Sequence, residues 1–222
     1  MKIFLDTVDI EFLKEFSITG LIDGITTNPL LLSKSNLECH DLIFNICSLI
    51  TGPVSIEVIS TSYKDMIKEG LEISKIADNI VVKLPLTYDG LIACKVLSYE
   101  YNVKVNVTLC FSVSQAILAA KVGAYFISPF VGRIDDIGQS GMQLIEAIHK
   151  IYTNYNNAFN TEIIVASVRS VTHVIQAAKI GADIVTVPPS IFKQMFMHPL
   201  TDKGLEDFLQ NWNASGKKMF SS

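Results

Sequence analysis

Ile80-Val81-Val82-Lys83-Leu84 is a run in which β-branched and apolar residues enclose a single lysine. Its composition is that of a strand, because Val and Ile fit a pleated, buried surface. Side chains alternate along a strand, so Ile80, Val82 and Leu84 share one face and Val81 and Lys83 the other. The division recurs along the chain. Residues 54–58 set Val54, Ile56 and Val58 against Ser55 and Glu57; residues 103–108 set Val103, Val105 and Val107 against Lys104, Asn106 and Thr108. Residues 2–6 set Ile3 and Leu5 against Phe4 and Asp6. One face is apolar throughout, as a surface covered by helices demands, and the other turns polar toward the C-terminal end of each strand.

Further strands are expected at residues 24–27, 125–129, 162–167 and 183–187. Stretches of helical period lie between strands, at 62–77, 91–99, 112–121, 141–152 and 171–180. Residues 121–124 and 179–182 both read Lys-x-Gly-Ala, with Gly123 and Gly181 placed to supply the left-handed turn that ends a helix. Eight strands with helical crossovers predict an α/β chain folded as a single (β/α)8 TIM barrel over residues 1–222. The rival is an open doubly wound sheet, but no G-x-G-x-x-G follows any strand. An extra C-terminal helix is expected at about 202–212, with Leu205, Phe208, Leu209 and Trp212 in an apolar stripe. That stripe packs either on its own barrel or on a neighbouring subunit.

Composition narrows the function. The chain has 222 residues, 49% of them hydrophobic, and a net charge of −4, which argues against a nucleic-acid or anionic-membrane partner. Any bound phosphate must then be met by a few local cations. Cys39, Cys47, Cys94 and Cys110 form no C-x-x-C pair and are expected to be reduced core thiols in a cytoplasmic protein. The opening MKIFLDTVDI becomes acidic at Asp6 and Asp9, so no signal peptide is read there, and no apolar run is long enough for a membrane span. His40, His149, His173 and His198 are isolated, without H-x-H or H-E-x-x-H spacing, so no metal site is expected. Neither a G-x-S-x-G elbow nor a P-loop occurs.

In a barrel the polar strand face is the interior, and its C-terminal rim is where active sites are built. Asp6, Thr26, Asn28, Glu57, Lys83, Asn106, Thr108, Ser128, Ser167 and Arg169 are assigned to that face and end. Lys2 and Lys104 enter at the opposite end and read as structural charges. A buried lysine is costly unless paired or neutral. Desolvation favours the neutral amine, which is the form that attacks a carbonyl. Lys83 is therefore either half of a buried ion pair with Asp6 or Glu57, or an amine for carbinolamine chemistry. Arg133 and Arg169, with Ser167, could clamp a phosphate through their guanidinium forks. The alternative is a rim ion pair of Arg133 with Asp135 or Asp136.

The segments FLDT (4–7), GITTNP (24–29), SIEV (55–58), IVVKLP (80–85), NVTLCFS (106–112), ISPFVGRIDD (127–136) and ASVRS (166–170) resemble the transaldolase family. The resemblance is to its short-chain branch, shared with the fructose-6-phosphate aldolases, and runs in family order over nearly the whole chain. It implies a barrel that moves a dihydroxyacetone unit between sugar phosphates without a cofactor. The donor would be sedoheptulose 7-phosphate or fructose 6-phosphate, and the acceptor glyceraldehyde 3-phosphate or erythrose 4-phosphate, as in the pentose phosphate pathway. On this resemblance Lys83 forms the imine, Asp6 moves the C4 hydroxyl proton, and Glu57 and Thr108 hold the relay water. Thr26, Asn28, Asn106 and Ser128 would fix the donor's hydroxyls, and Arg133, Ser167 and Arg169 the phosphate. The aldolases carry glutamine at position 57 and tyrosine at position 130, whereas Glu57 and Phe130 here follow the transaldolase pattern. A tyrosine could protonate an enamine and release free dihydroxyacetone; phenylalanine has no such proton. Fructose-6-phosphate aldolase activity is the nearest alternative, and a non-catalytic sugar-phosphate-binding barrel the alternative of another class. The resemblance also implies a homo-oligomer, a decamer of two stacked rings, with the C-terminal helix packed across subunits.

Overall fold

The computed structural model describes residues 1–220. These residues form β1 (Lys2–Asp6), α1 (Ile10–Ser17), β2 (Gly24–Thr26), α2 (Pro29–Leu32), α3 (Cys39–Leu49), β3 (Val54–Glu57), α4 (Tyr63–Ser74), β4 (Ile80–Pro85), α5 (Tyr88–Glu100) and β5 (Val105–Cys110). They continue through α6 (Val113–Lys121), β6 (Phe126–Pro129), α7 (Val131–Asp135), α8 (Gly141–Asn154), β7 (Glu162–Val165), α9 (Val171–Ile180), β8 (Ile184–Val187), α10 (Pro189–Gln194) and α11 (Pro199–Ala214). The strands run parallel in sequence order, and β8 returns to β1 with Leu5 beside Val187, closing the barrel. The expected (β/α)8 fold is thus the observed one.

Strand parity sorts the core into two parts. Val54, Ile56, Val82, Leu84, Val105 and Val107 face outward into a large cluster shared with the helices. Phe4, Val81, Phe126, Ile164 and Ile184 form a separate cluster inside the barrel. Phe4 and Phe126 meet edge to face at 6.0 Å, a geometry that aromatic quadrupoles favour. Below this plug, Lys2 pairs with Glu162 at 2.8 Å and Lys104 lies 4.8 Å from the Tyr125 ring centre, the structural roles expected of both lysines. Above it the interior becomes polar.

Helix starts follow the sequence chemistry. Ser62, Thr87, Ser112 and Ser170 each accept the backbone N–H three residues on, opening α4, α5, α6 and α9. Each such cap stabilises by about 1 kcal/mol. Gly123 and Gly181 take φ of 84° and 88° at the αβ junctions, as the Lys-x-Gly-Ala repeats require.

Several boundaries differ from expectation, and two of the differences matter to the site. β5 does not begin at residue 103 but runs from Val105 to Cys110, through Leu109 in a left-handed conformation, where its register with β6 shifts. β7 ends at Val165 rather than 167. The extra helix is longer than 202–212 because Pro199 suits a first helical position and His198 caps it through Nδ1. Among the described residues, none of α11 is buried, so its apolar stripe does not pack into its own barrel. Cys39 is exposed, which corrects its assignment to the core; Cys47, Cys94 and Cys110 are buried as expected. No helix among the described residues is long and apolar enough to cross a membrane.

Candidate active site

Parallel pairing sets the polar residues side by side. Glu57 is level with Lys83, Lys83 with Asn106, Thr108 with Ser128, and Asp6 with Thr26. Lys83 is only 4% exposed. Its Nζ donates to the Thr27 carbonyl at 2.8 Å and lies 3.0 Å from Glu57 Oε2. The ion pair weighed from the sequence is therefore present, with Glu57 as its member. Two close acceptors offset the desolvation of the ammonium. The same contact puts a carboxylate where it can take a proton from the amine.

Asp6 turns instead to Thr26, whose Oγ1 donates to Asp6 Oδ1 at 2.8 Å. Burial raises the Asp6 carboxyl above its ordinary range; the Thr26 hydrogen bond and Lys83 oppose this rise, and Glu57 adds to it. Thr26 Oγ1 is also 2.7 Å from Thr186 Oγ1. Thr186 escaped the sequence reading, although its sharing of the inward parity of Ile184 on β8 was a usable signal.

A second chain of side chains crosses the barrel. Ser128 Oγ donates to Asn106 Oδ1 at 2.8 Å, and Asn106 Nδ2 donates to Ser55 Oγ at 3.1 Å. The Ser128 proton is thereby committed, which leaves its lone pairs to accept from a ligand hydroxyl. Asn28 caps α2, its Oδ1 accepting from Leu31 N at 3.0 Å, so its amide N–H groups remain as donors. Thr108 Oγ1 is buried and has no hydrogen-bond partner among the described residues. Buried polar groups are seldom left so.

A cavity of about 150 Å³ opens at the C-terminal mouth, walled by Asp6, Thr26, Asn28, Lys83, Ser128, Phe130, Arg133, Ser167 and the unpredicted Thr186. Glu57, Asn106 and Thr108 stand behind that wall. A larger hollow of about 260 Å³ under the barrel, near Lys104 and Tyr99, gathers no comparable set of carboxylates and amine. Among the described residues, no group of three or more His, Cys, Asp or Glu side chains is placed to hold a metal.

One placement departs from the sequence reading, and two residues reach the cavity by routes it did not give. Ser167 does not share the inward parity, which on β7 belongs to Ile164. A left-handed backbone at Ser167, φ 59°, breaks the alternation and brings it to the cavity. Arg169 lies off the cavity wall, ion-paired with Asp136. Arg133 reaches the cavity, as the phosphate-clamp reading expects, rather than pairing with Asp135 or Asp136, and its guanidinium lies 4.9 Å from the Phe130 ring centre. Asp135 is taken by His173, whose Nε2 lies at 3.0 Å. The arrangement can present an amine to a carbonyl, flank it with two carboxyls, and meet an anion at the mouth with Arg133.

The chain is similar to known proteins both in sequence and in fold. A family described as transaldolase/fructose-6-phosphate aldolase matches residues 3–221. A protein of Mesorhizobium japonicum named "Probable transaldolase" is 55% identical over 219 residues, covering 99% of this chain and 100% of that protein. One of Chelativorans with the same name is 56% identical over the same span, with the same coverage. Among solved structures, the 3-hexulose-6-phosphate synthase of Salmonella typhimurium is similar in fold, with a TM-score of 0.63 at 18% identity, covering 87% of this chain and 91% of that one. The thiamine phosphate pyrophosphorylase of Pyrococcus furiosus gives 0.59 at 15% identity, covering 84% and 85%. At those identities the likeness is one of fold alone.

Proposed function

The chain belongs to the transaldolase/fructose-6-phosphate aldolase family, and with that as premise we propose that it is a transaldolase whose covalent amine is Lys83. Membership makes it an enzyme of the transaldolase type, a transferase acting on sugar phosphates. The proposed donor is sedoheptulose 7-phosphate or fructose 6-phosphate, and the acceptor glyceraldehyde 3-phosphate or erythrose 4-phosphate, in the pentose phosphate pathway.

In this mechanism Glu57 takes a proton from Lys83, and the neutral amine adds to the donor's C2 carbonyl. A water held by Glu57 and Thr108 carries protons while the carbinolamine loses water to become an iminium. Asp6 then takes the C4 hydroxyl proton and the C3–C4 bond breaks. Its electron pair moves into the iminium, giving an enamine, and the shortened aldose phosphate leaves. The acceptor's carbonyl carbon is attacked by the enamine, Asp6 returns its proton to the new alkoxide, and hydrolysis frees the product. Ser128, Asn28 and Thr26 order the hydroxyls, Asn106 acting through its bond to Ser128, with Arg133 and Ser167 on the phosphate. Arg169 joins them only by exchanging Asp136 for the ligand.

The observation that carries this reading is the placement of Lys83, buried at the foot of the mouth cavity with Glu57 at 3.0 Å. The raised Asp6 carboxyl suits a group that must both take and return a proton. The unpartnered Thr108 hydroxyl suits a water ligand. Phe130 at the cavity wall offers the enamine no proton, which favours transfer over aldolase release.

Borohydride reduction in the presence of fructose 6-phosphate should leave a mass adduct on the Lys83 peptide, and Lys83→Met should abolish both adduct and turnover. No adduct on Lys83 would mean binding without covalent chemistry. Incubation with fructose 6-phosphate alone, then with erythrose 4-phosphate, separates the aldolase alternative. Free dihydroxyacetone formed equally fast without acceptor would establish it.

We also propose a homo-oligomer in which a second copy covers α11, in the stacked-ring decamer that the family resemblance implies. Its support is the exposed stripe, with Phe208 75% and Trp212 40% exposed. A cytoplasmic location is proposed from the unpaired cysteines.

A further inference from the structure

Thr186 has no part in the mechanism above, yet it is buried beside it. It stands on β8 level with Phe4 of β1, and its hydroxyl reaches over β1 to Thr26 on β2 at 2.7 Å. Thr26 Oγ1 in turn is 2.8 Å from Asp6 Oδ1. Proton counting fixes the directions. A hydroxyl has one proton to give. When Asp6 is ionised its oxygen can only accept, so Thr26 must donate to Asp6. The contact with Thr186 is then made by the Thr186 proton. When Asp6 has taken a proton onto Oδ1, the order can reverse: Asp6 donates to Thr26, and Thr26 to Thr186. Neither state needs a heavy atom to move.

We propose that Thr186 is a positioning residue for the acid–base step, keeping Asp6 hydrogen-bonded through Thr26 in both of its protonation states. The inference rests on the reading of Asp6 as the group that moves the C4 hydroxyl proton. The other groups around Asp6 are few. Lys83 on β4 favours the carboxylate and Glu57 on β3 opposes it. Arg133 of α7 lines the same cavity. The remaining strands and the residue after β7 contribute Asn106, Ser128, Thr186 and Ala166, none of them charged. Hydroxyls in series polarise one another, so donation from Thr186 strengthens the bond that Thr26 gives to the carboxylate. Removing that donor should make the ionised form harder to reach in this buried setting.

The test is the pH dependence of kcat/KM for the donor sugar phosphate. Thr186→Val keeps the shape and loses the hydroxyl; its acidic limb should move up by about one pH unit, while Thr186→Ser stays near wild type. Thr186→Ala repeats the measurement should the valine variant fail to fold. In an Asp6→Asn background, Thr186→Val should cause no further loss, because it acts only through Asp6. An unmoved limb in the hydroxyl-free variants, or an equal shift in Thr186→Ser, would overturn the proposal. So would a further loss in the Asp6→Asn background, which would show Thr186 acting on the substrate directly or through Thr26 rather than through Asp6. Full activity of Asp6→Asn alone would instead remove the acid–base reading of Asp6.

Discussion

Asp6 shows most directly how a site can be assembled at the expense of stability. Burial raises its carboxyl above the ordinary value of 3.8. The folded chain therefore holds the proton more tightly than the unfolded chain does. Below the unfolded value both states are protonated and no penalty exists. As pH rises from there through the folded value, ionisation costs stability, and above it the full cost remains. Asp6→Asn should therefore raise the melting temperature at neutral pH and leave it close to wild type near pH 3, while lowering turnover by about a hundredfold or more. Thermal unfolding at the two pH values checks this; an equal change at both would show that ionisation is not the cause. Lys83 and Glu57 pair at 3.0 Å, and both were legible as inward residues of neighbouring strands. Their mutual contact was one of two partners the sequence allowed. Thr186 was missed because its role lies in a bond to a residue 160 positions away.

At the scale of elements, strand cores were easier to read than strand ends. Alternation placed Asp6, Lys83, Asn106 and Ser128 correctly because it is a local property of extended backbone. It failed at Ser167, where left-handed backbone ends the pattern, and Leu109 makes the same turn at the end of β5. Non-glycine residues in that region are strained and gather at functional rims. Helix α11 was legible as a helix and silent about its partner. Burial of one large apolar side chain is worth about 1.5–3 kcal/mol, so an interface along Leu205, Phe208, Leu209 and Trp212 would be a substantial share of assembly energy. Leu205→Lys with Phe208→Lys should shift sedimentation to smaller species while circular dichroism keeps the barrel signature. Unchanged sedimentation would show that the stripe does not hold subunits together.

For the molecule as a whole, closure of the sheet separates an apolar outer core from an interior plugged by Phe4, Phe126 and their neighbours. The division predicts thiol behaviour. Burial pushes Cys47 up to about 11 and Cys94 and Cys110 up to about 12, whereas Cys39 is exposed. A thiol reagent at neutral pH should thus modify one cysteine per native chain quickly, and all four only after denaturation. Fast modification of the buried three would contradict the closed core. What the sequence determined alone was the barrel, the inward face of most strands and the amine with its carboxyls, since period-two patterning and capping chemistry are written in neighbouring residues. Tertiary structure alone decided that Arg133 rather than Arg169 faces the cavity, that Ser167 reaches it through a left-handed backbone, and that Thr186 bonds to Thr26 beside Asp6. Each of these depends on backbone handedness at a rim or on side chains brought together by closure, neither of which a local pattern encodes.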